Sequence, residues 1–178
     1  MNVHTAIRNR RSVREYSPRP IPDDSVQRLR DALRFAPSAC NIQPWRFVYV
    51  TDSDLRATLA RAANEQTFIA QAPLIVVACG YPEQAYQHMG GHGNSVDIDL
   101  AIALDHLSLA AVVEGLGTCW IGSFDEREVK RLLHVPATVK VVAMMPVGFP
   151  LSADQIHPAG DDQRRPATDV FRIDSYVS

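Results

Sequence analysis

The stretch from Ile98 to Val113, IDLAIALDHLSLAAVV, carries apolar residues on more than one helical face, among them Ile98, Ala101, Ile102, Leu104, Leu107, Leu109, Ala110 and Val113. A surface helix needs only one apolar stripe. A helix of this composition, beginning near Ser95 and halted by Gly115 and Gly117, therefore belongs inside the architecture. Pro73 to Cys79, PLIVVAC, adds a second constraint: it is continuously apolar and bounded by Pro and Gly, as in a strand covered on both faces. A buried strand and a buried helix together specify a sheet with helical layers. At 178 residues and 46% hydrophobic, the chain can build one such core.

Further elements follow from local chemistry. Val3, Ala6 and Ile7 space a short helix over residues 3–9. Pro22-Asp23-Asp24-Ser25 offers capping side chains and N-terminal carboxylates to a helix through Val26, Leu29 and Leu33, which Pro37 stops near Ala36. Trp45 to Val50 alternates like a strand, and Ser53 to Glu65 carries Leu55 and Leu59 at helical spacing. Tyr81 to Asn94, rich in His, Gln and Gly, reads as a ligand-facing connection. Thr118 to Ile121 is a short strand, Asp125 to Leu133 a capped helix and Val139 to Val147 an apolar strand. From Gly148 the chain carries Pro150, Pro158, Gly160 and Pro166 among scattered charges. With too little apolar material to fold alone, this tail wraps the domain or a second subunit. The order predicts an α/β or α+β layer with helices covering a small sheet.

The net charge of -2 argues against a nucleic-acid partner. The polar opening MNVHTAIRNRR and the lack of a long apolar run predict a cytoplasmic protein without a membrane span. Cys40, Cys79 and Cys119 are far apart, form no CxxC pair and read as buried thiols. A metal site from His88 and His92 with His106, Asp97 or Asp99 is disfavoured, because Gly90-Gly91 interrupts the helix that would aim both histidines at one ion. Neither Cys40 nor Cys119 sits in a nucleophile motif, and Gly90-Gly-His-Gly93 lacks the pattern of a phosphate loop.

Three segments remain as candidates. RNRRSVREY concentrates Arg8, Arg10, Arg11 and Arg14 around Ser12, a set suited to charge-assisted contacts with a phosphate, or equally to a solvated basic turn. PSACNIQPW presents Ser38, Asn41 and Gln43, which donate and accept at once and suit the edge of a heterocycle, or simply bond their own backbone in a Pro-bounded connector. GLGTCWIGSF sets glycines around a short strand, letting a backbone N–H approach a flat ligand or merely stopping a helix.

In order and spacing, RNRRSVREY, APSACNIQPWRFVYV, the apolar helix running into GLGTCWIGSF, then LLHVP, VVAMMPVGFP and the basic pair before Pro166 resemble the nitroreductase family over almost the whole chain. The resemblance implies an α+β fold, a three-layer α/β/α arrangement in which helices cover a small, mostly antiparallel sheet. It implies one FMN-binding domain over residues 1–178, paired as an intertwined homodimer with two flavins at the interface, the 149–178 extension embracing the partner. It places Arg10, Arg11, Ser12 and Arg14, with Arg164 and Arg165 from the tail, at the FMN phosphate and ribityl chain. Pro37, Ser38, Ala39, Asn41 and Gln43 would face the flavin, often from the opposite subunit, and Ile121 and Gly122 would reach its N5 region.

The activity so implied is a ping-pong cycle. NADH or NADPH reduces FMN by hydride transfer, leaves, and is replaced by a small acceptor such as a nitroaromatic, quinone or activated alkene. The flavin carries the chemistry, so no catalytic acid, base or nucleophile is expected from the protein. Alternatives are a superfamily member using reduced flavin for dehalogenation or flavin breakdown, and a non-catalytic FMN-binding protein. The chain departs from larger members in its short length and in Asn64 to Phe68, which does not reproduce the Asn and Lys that contact their flavin. That implies a more open site, with Tyr86 and His88 as lid residues of the 81–94 connection.

Overall fold

The computed structural model describes residues 1–91 and 93–177; His92, one of the histidines of the disfavoured metal reading, lies outside the described residues. Its centre is β2 (Leu74–Gly80), buried along its whole length. It pairs antiparallel with β1 (Trp45–Val50) on one side and β4 (Lys140–Gly148) on the other, and the two-residue β3 (Gly117–Thr118) completes the order β1-β2-β4-β3. Successive side chains of a strand point to opposite faces. Accordingly Leu74, Val76 and Ala78 enter one apolar cluster while Ile75, Val77 and Cys79 enter another. Each large aliphatic side chain withdrawn from water here contributes about 1.5–3 kcal/mol. The register slips between Ala78 and Cys79, so that Val142 and Ala143 of β4 pack toward the same layer, as a bulge requires.

On the first face lie α2 (Asp23–Arg34) and α5 (Val96–Val113), contributing Leu29, Leu33, Leu100, Leu104 and Leu107. On the second lie α3 (Ser53–Ala62), the short α4 (Phe68–Gln71) and α6 (Glu126–Leu133), contributing Leu59, Ile69 and Val129. The expected α+β layering is therefore present. Capping explains several boundaries: Asn2 accepts from the Thr5 N–H ahead of α1 (Val3–Asn9), Asp52 from Leu55, and Asp125 from Arg127 and Glu128.

Local expectations are corrected at four points. The α2 start has no side-chain cap: Asp23 and Asp24 sit in the first turn, but the Ser25 hydroxyl donates to Glu114 instead. The third helix stops at Ala62, short of Glu65, because Asn64 and Glu65 turn left-handed with φ of 57° and 59°. The strand expected over 118–121 pairs as a ladder only at Gly117–Thr118, with Ile121 rejoining β4 through a bridge to Met144. Cys40 is exposed, since it occupies a left-handed position (φ 50°) in the surface turn Ala39–Asn41, while Cys79 and Cys119 are buried as expected.

The inner face of α5 is fully covered, yet Ala101, Ile102, Leu109 and Ala110 are only half-buried and Val113 is exposed. The tail divides in two. Residues 149–159 pack on the same chain's N-terminal segment, with Ser17 donating to Phe149 C=O, Leu151 to Glu15 C=O and Ala159 to Arg8 C=O. Beyond Gly160 every described residue is exposed, including Phe171, Ile173 and Tyr176 and the short α7 (Ala167–Val170). No helix among the described residues is long and apolar enough to cross a membrane.

Candidate functional site

The arginine segment is held as an extra strand against β3. Ser12 bridges Thr118 in parallel, and the Val13 N–H donates to Thr118 C=O at 2.9 Å. Val13 is buried, and its carbonyl accepts from the buried Tyr16 hydroxyl at 2.8 Å. Gly117 makes the approach possible: a Cβ there would lie 2.5 Å from a Val13 methyl. With Val13 and Tyr16 pointing inward, Ser12 and Arg14 face solvent and Arg10 and Arg11 lie half-buried.

The electrostatics of this segment are one-sided. Arg11 Nη1 donates to the carbonyls of Arg8 (3.0 Å) and Arg10 (2.8 Å), but its Nη2 is buried without a partner. Partial burial, then the positive charges of Arg164 and Arg10, hold the Arg11 guanidinium below its ordinary pKa. Among the described residues no carboxylate pairs with Arg10, Arg11, Arg14 or Arg164; the nearby acid Asp161 takes Arg8 at 3.4 Å, and Arg165 faces Asp169 at 4.0 Å. Close by lies Cys119, whose thiol is pushed up by burial against the opposing pull of Arg14, the Ser12 hydroxyl and Arg10. Cations crowded together beside an orphaned buried donor form a place prepared for an anion. Arg164 lies near enough to act on the Arg11 charge, whereas Arg165 faces Asp169.

Ile121 and Gly122 continue from the same edge. Ile121 is buried and exchanges two backbone bonds with Met144, at 2.9 and 3.0 Å. Gly122 is exposed beside the Trp120 indole, whose Nε1 would lie 3.4 Å from an added Cβ. Behind it, Asn64 Nδ2 donates to Ser123 Oγ (2.8 Å) and Gln66 Nε2 to Ser123 C=O (3.2 Å). The segment read as a departure from larger relatives thus braces the strand end that carries Gly122. Asn64 at the helix end, a residue type that tolerates left-handed backbone, is the sequence signal that marks it.

The loop from Pro37 to Gln43 is stereochemically costly. Cys40, Asn41 and Gln43 are left-handed, with φ of 50°, 53° and 56°. Ser38 Oγ accepts from the Gln43 N–H (2.9 Å), and Gln43 Nε2 reaches Asn41 Oδ1 (3.1 Å), so Ser38, Asn41 and Gln43 do bond within their own loop. The Ala39 N–H donates to Oδ1 of the buried Asp99 at 2.9 Å. The sequence places Asp99 only in the disfavoured metal set, and no cluster that could hold a metal occurs among the described residues. Its signal was a carboxylate on the same helical stripe as Leu100, Ala103 and Leu107.

Within one chain these pieces do not all meet. The 37–43 loop is tied to the first turn of α5 and leads into the end of the sheet where Trp45 opposes Gly80. The arginine segment lies past the other end of α5, at the end of the sheet where Thr118 opposes Val147. Fourteen helical residues, 100–113, lie between the Asp99 contact and the end of α5, about 21 Å at the usual rise.

The profile of the nitroreductase family matches residues 7–96 and 62–149. A 5,6-dimethylbenzimidazole synthase of Rhodobacter capsulatus is 31% identical, with 90% of this chain and 90% of the relative covered. Among solved structures, a nitroreductase family protein from Clostridium novyi superimposes with a TM-score of 0.80 at 30% identity, covering 88% of this chain and 89% of that one. An NADPH:FMN oxidoreductase from Vibrio harveyi, solved with NAD+, superimposes with a TM-score of 0.85 at 28% identity, covering 100% of this chain and 79% of that one.

Proposed function

This chain belongs to the nitroreductase family, and from that premise we propose that it is an FMN oxidoreductase using NADH or NADPH to reduce a small electron-poor acceptor, a nitroaromatic, quinone or activated alkene. One observation carries the reading: Arg10, Arg11, Arg14 and Arg164 gather without an acid among the described residues, around a buried guanidinium nitrogen that has no partner. A phosphate monoester satisfies that nitrogen and offsets the repulsion. When bound, FMN supplies the redox chemistry, accepting electrons from the nucleotide and delivering them to the acceptor.

The chain's own residues hold and orient. Arg10, Arg11, Ser12, Arg14 and Arg164 take the phosphate end, and Arg165 stays with Asp169. Gly122 presents backbone to the ring, while Ile121, whose N–H and C=O are both taken by Met144, anchors it from behind, with Asn64 and Gln66 fixing the turn that follows. Pro37, Ser38, Ala39, Asn41 and Gln43 complete the pocket from a second copy, because their own arginine segment lies at the far end of α5.

Three further features support a homodimer: the half-buried apolar outer face of α5, the exposed apolar residues of the tail after Gly160, and the free edge of β1. Beside that edge runs a groove of about 440 Å³ lined by Arg30, Leu33, Arg34, Trp45, Phe47 and Tyr49. The Tyr49 hydroxyl is buried there without a partner and burial pushes it up to about 12, leaving an unanswered donor beside the free edge.

The test is an absorbance spectrum of the chain loaded with FMN, recorded without oxygen before and after NADH and then NADPH. Flavin bands that bleach support the reading, and they return when a nitroaromatic is added. A chain that binds no FMN overturns it; bound flavin that neither nucleotide bleaches leaves a binding protein. A second reading rests on the 5,6-dimethylbenzimidazole synthase relative. It requires that reduced flavin be consumed under oxygen, whereas a reductase returns it intact.

A further inference from the structure

Asp99 is 2% exposed, and its two carboxylate oxygens serve different segments. Oδ1 accepts the Ala39 N–H of the 37–43 loop at 2.9 Å, and Oδ2 accepts the Ser95 hydroxyl at 2.7 Å. Ser95 is completely buried, and its Oγ in turn accepts the Tyr86 N–H at 3.2 Å, while its own N–H donates to Tyr86 C=O at 2.9 Å. Tyr86 carries His88 against it, ring centroids 5.8 Å apart and nearly perpendicular. No cation pairs with Asp99 among the described residues; the charge lies in the first turn of α5, where free N–H groups and the helix dipole favour an anion. Lys140, on β4, is taken by Asp97 at 2.6 Å.

We propose that Asp99 is a positioning residue that ties the 81–94 connection to the loop Ser38–Gln43, so that the residues covering the acceptor and the residues facing the flavin move as one unit. The proposal rests on the flavoenzyme reading above for its consequence, but the tie itself is a property of the bare chain. Three left-handed non-glycine residues make the loop reluctant to hold its shape unaided, and among the described residues the Ala39 N–H to Asp99 is the hydrogen bond that anchors it from outside. A carboxylate is required because both partners donate. Asn at this position still accepts from Ala39 but presents an N–H₂ to Ser95, whose proton then has no acceptor.

This arrangement orders the expected variants. Ser95→Ala and Asp99→Asn cut only the branch to Tyr86, raising the acceptor KM about tenfold while FMN affinity and kcat stay within about threefold. Asp99→Ala cuts both branches and weakens FMN about tenfold as well. The double variant Ser95→Ala/Asp99→Asn matches either single one, because they break the same link. Amide hydrogen exchange on the FMN-free chain supplies a readout that needs no activity: at least tenfold faster exchange is expected at Tyr86 in all three single variants, and at Ala39 only in Asp99→Ala, with α6 amides unchanged. Exchange that rises equally at Ala39, Tyr86 and α6 means a general loss of stability and overturns the proposal. So does unchanged exchange at both amides. A wild-type chain that binds no FMN fells the flavoenzyme reading, while the exchange pattern still decides the tie.

Discussion

Arg28, in the middle of α2, and Arg11, just past the end of α1, have opposite surroundings. Arg28 grips Glu114 with two parallel bonds, both 2.7 Å, and the buried Ser25 hydroxyl adds a third to the same carboxylate, clamping α2 to the end of α5. Among the described residues Arg11 meets carbonyls and two other cations, and its Nη2 is left unanswered. The difference separates structure from function on electrostatic grounds. A charge answered within the chain strengthens the fold; a charge left unanswered beside others of its sign weakens the fold slightly until a ligand answers it.

That contrast can be broken by substitution. The largest effect belongs to Arg11→Ala combined with Arg164→Ala: FMN affinity falls about a hundredfold or more, at roughly 1.5–3 kcal/mol per charge-assisted bond. The melting temperature of the flavin-free protein does not fall. A flavin fluorescence titration and a thermal melt on the same samples decide it, and an affinity within threefold of wild type would remove the cluster from the site. Glu114→Ala should do the reverse, orphaning the buried Ser25 hydroxyl and lowering the melting temperature by roughly 2–6 °C while FMN affinity stays within twofold.

The clamp also has a pH signature. Arg28 first, then Ser25, hold the Glu114 carboxyl below the ordinary glutamate range. Its stabilisation is therefore complete above that range, near pH 4.3, and is lost as pH falls through the lowered value. The gap in melting temperature between wild type and Glu114→Gln should narrow below about pH 4; a gap that widens would mean another group carries it. The smallest effect is expected at Arg165, which is exposed and faces Asp169. Arg165→Ala should change FMN affinity less than twofold, and a tenfold loss would exchange its role with that of Arg164.

The layered architecture could be read from the chain because β2 and the inner stripe of α5 state their burial in composition alone. The arginine segment was legible for a related reason: four cations in so few residues demand either solvent or an anion. Asp99 was not. A carboxylate at a helix start reads as a dipole partner, and only the fold brings Ala39 and Ser95 to its two oxygens. The end of α3 is only half legible, since Asn64 tolerates left-handed backbone but nothing in the propensity of Glu65 announces a second such residue beside it. Sequence periodicity reports what is buried, whereas the partners of a buried polar group are chosen by tertiary contacts.

The exposure of Cys40 makes the loop chemically addressable. Cys79 and Cys119 are buried, and burial pushes the Cys79 thiol up to about 11, so a maleimide or nitroxide reagent at neutral pH will reach the Cys40 sulfur first. The natural sequence therefore carries its own attachment point for a reporter. Cys40 and the arginines of the same chain lie at opposite ends of a long helix. A label whose signal is quenched when flavin arrives would then be sensing a cofactor held by the other copy, and dilution that separates the copies would abolish the quenching.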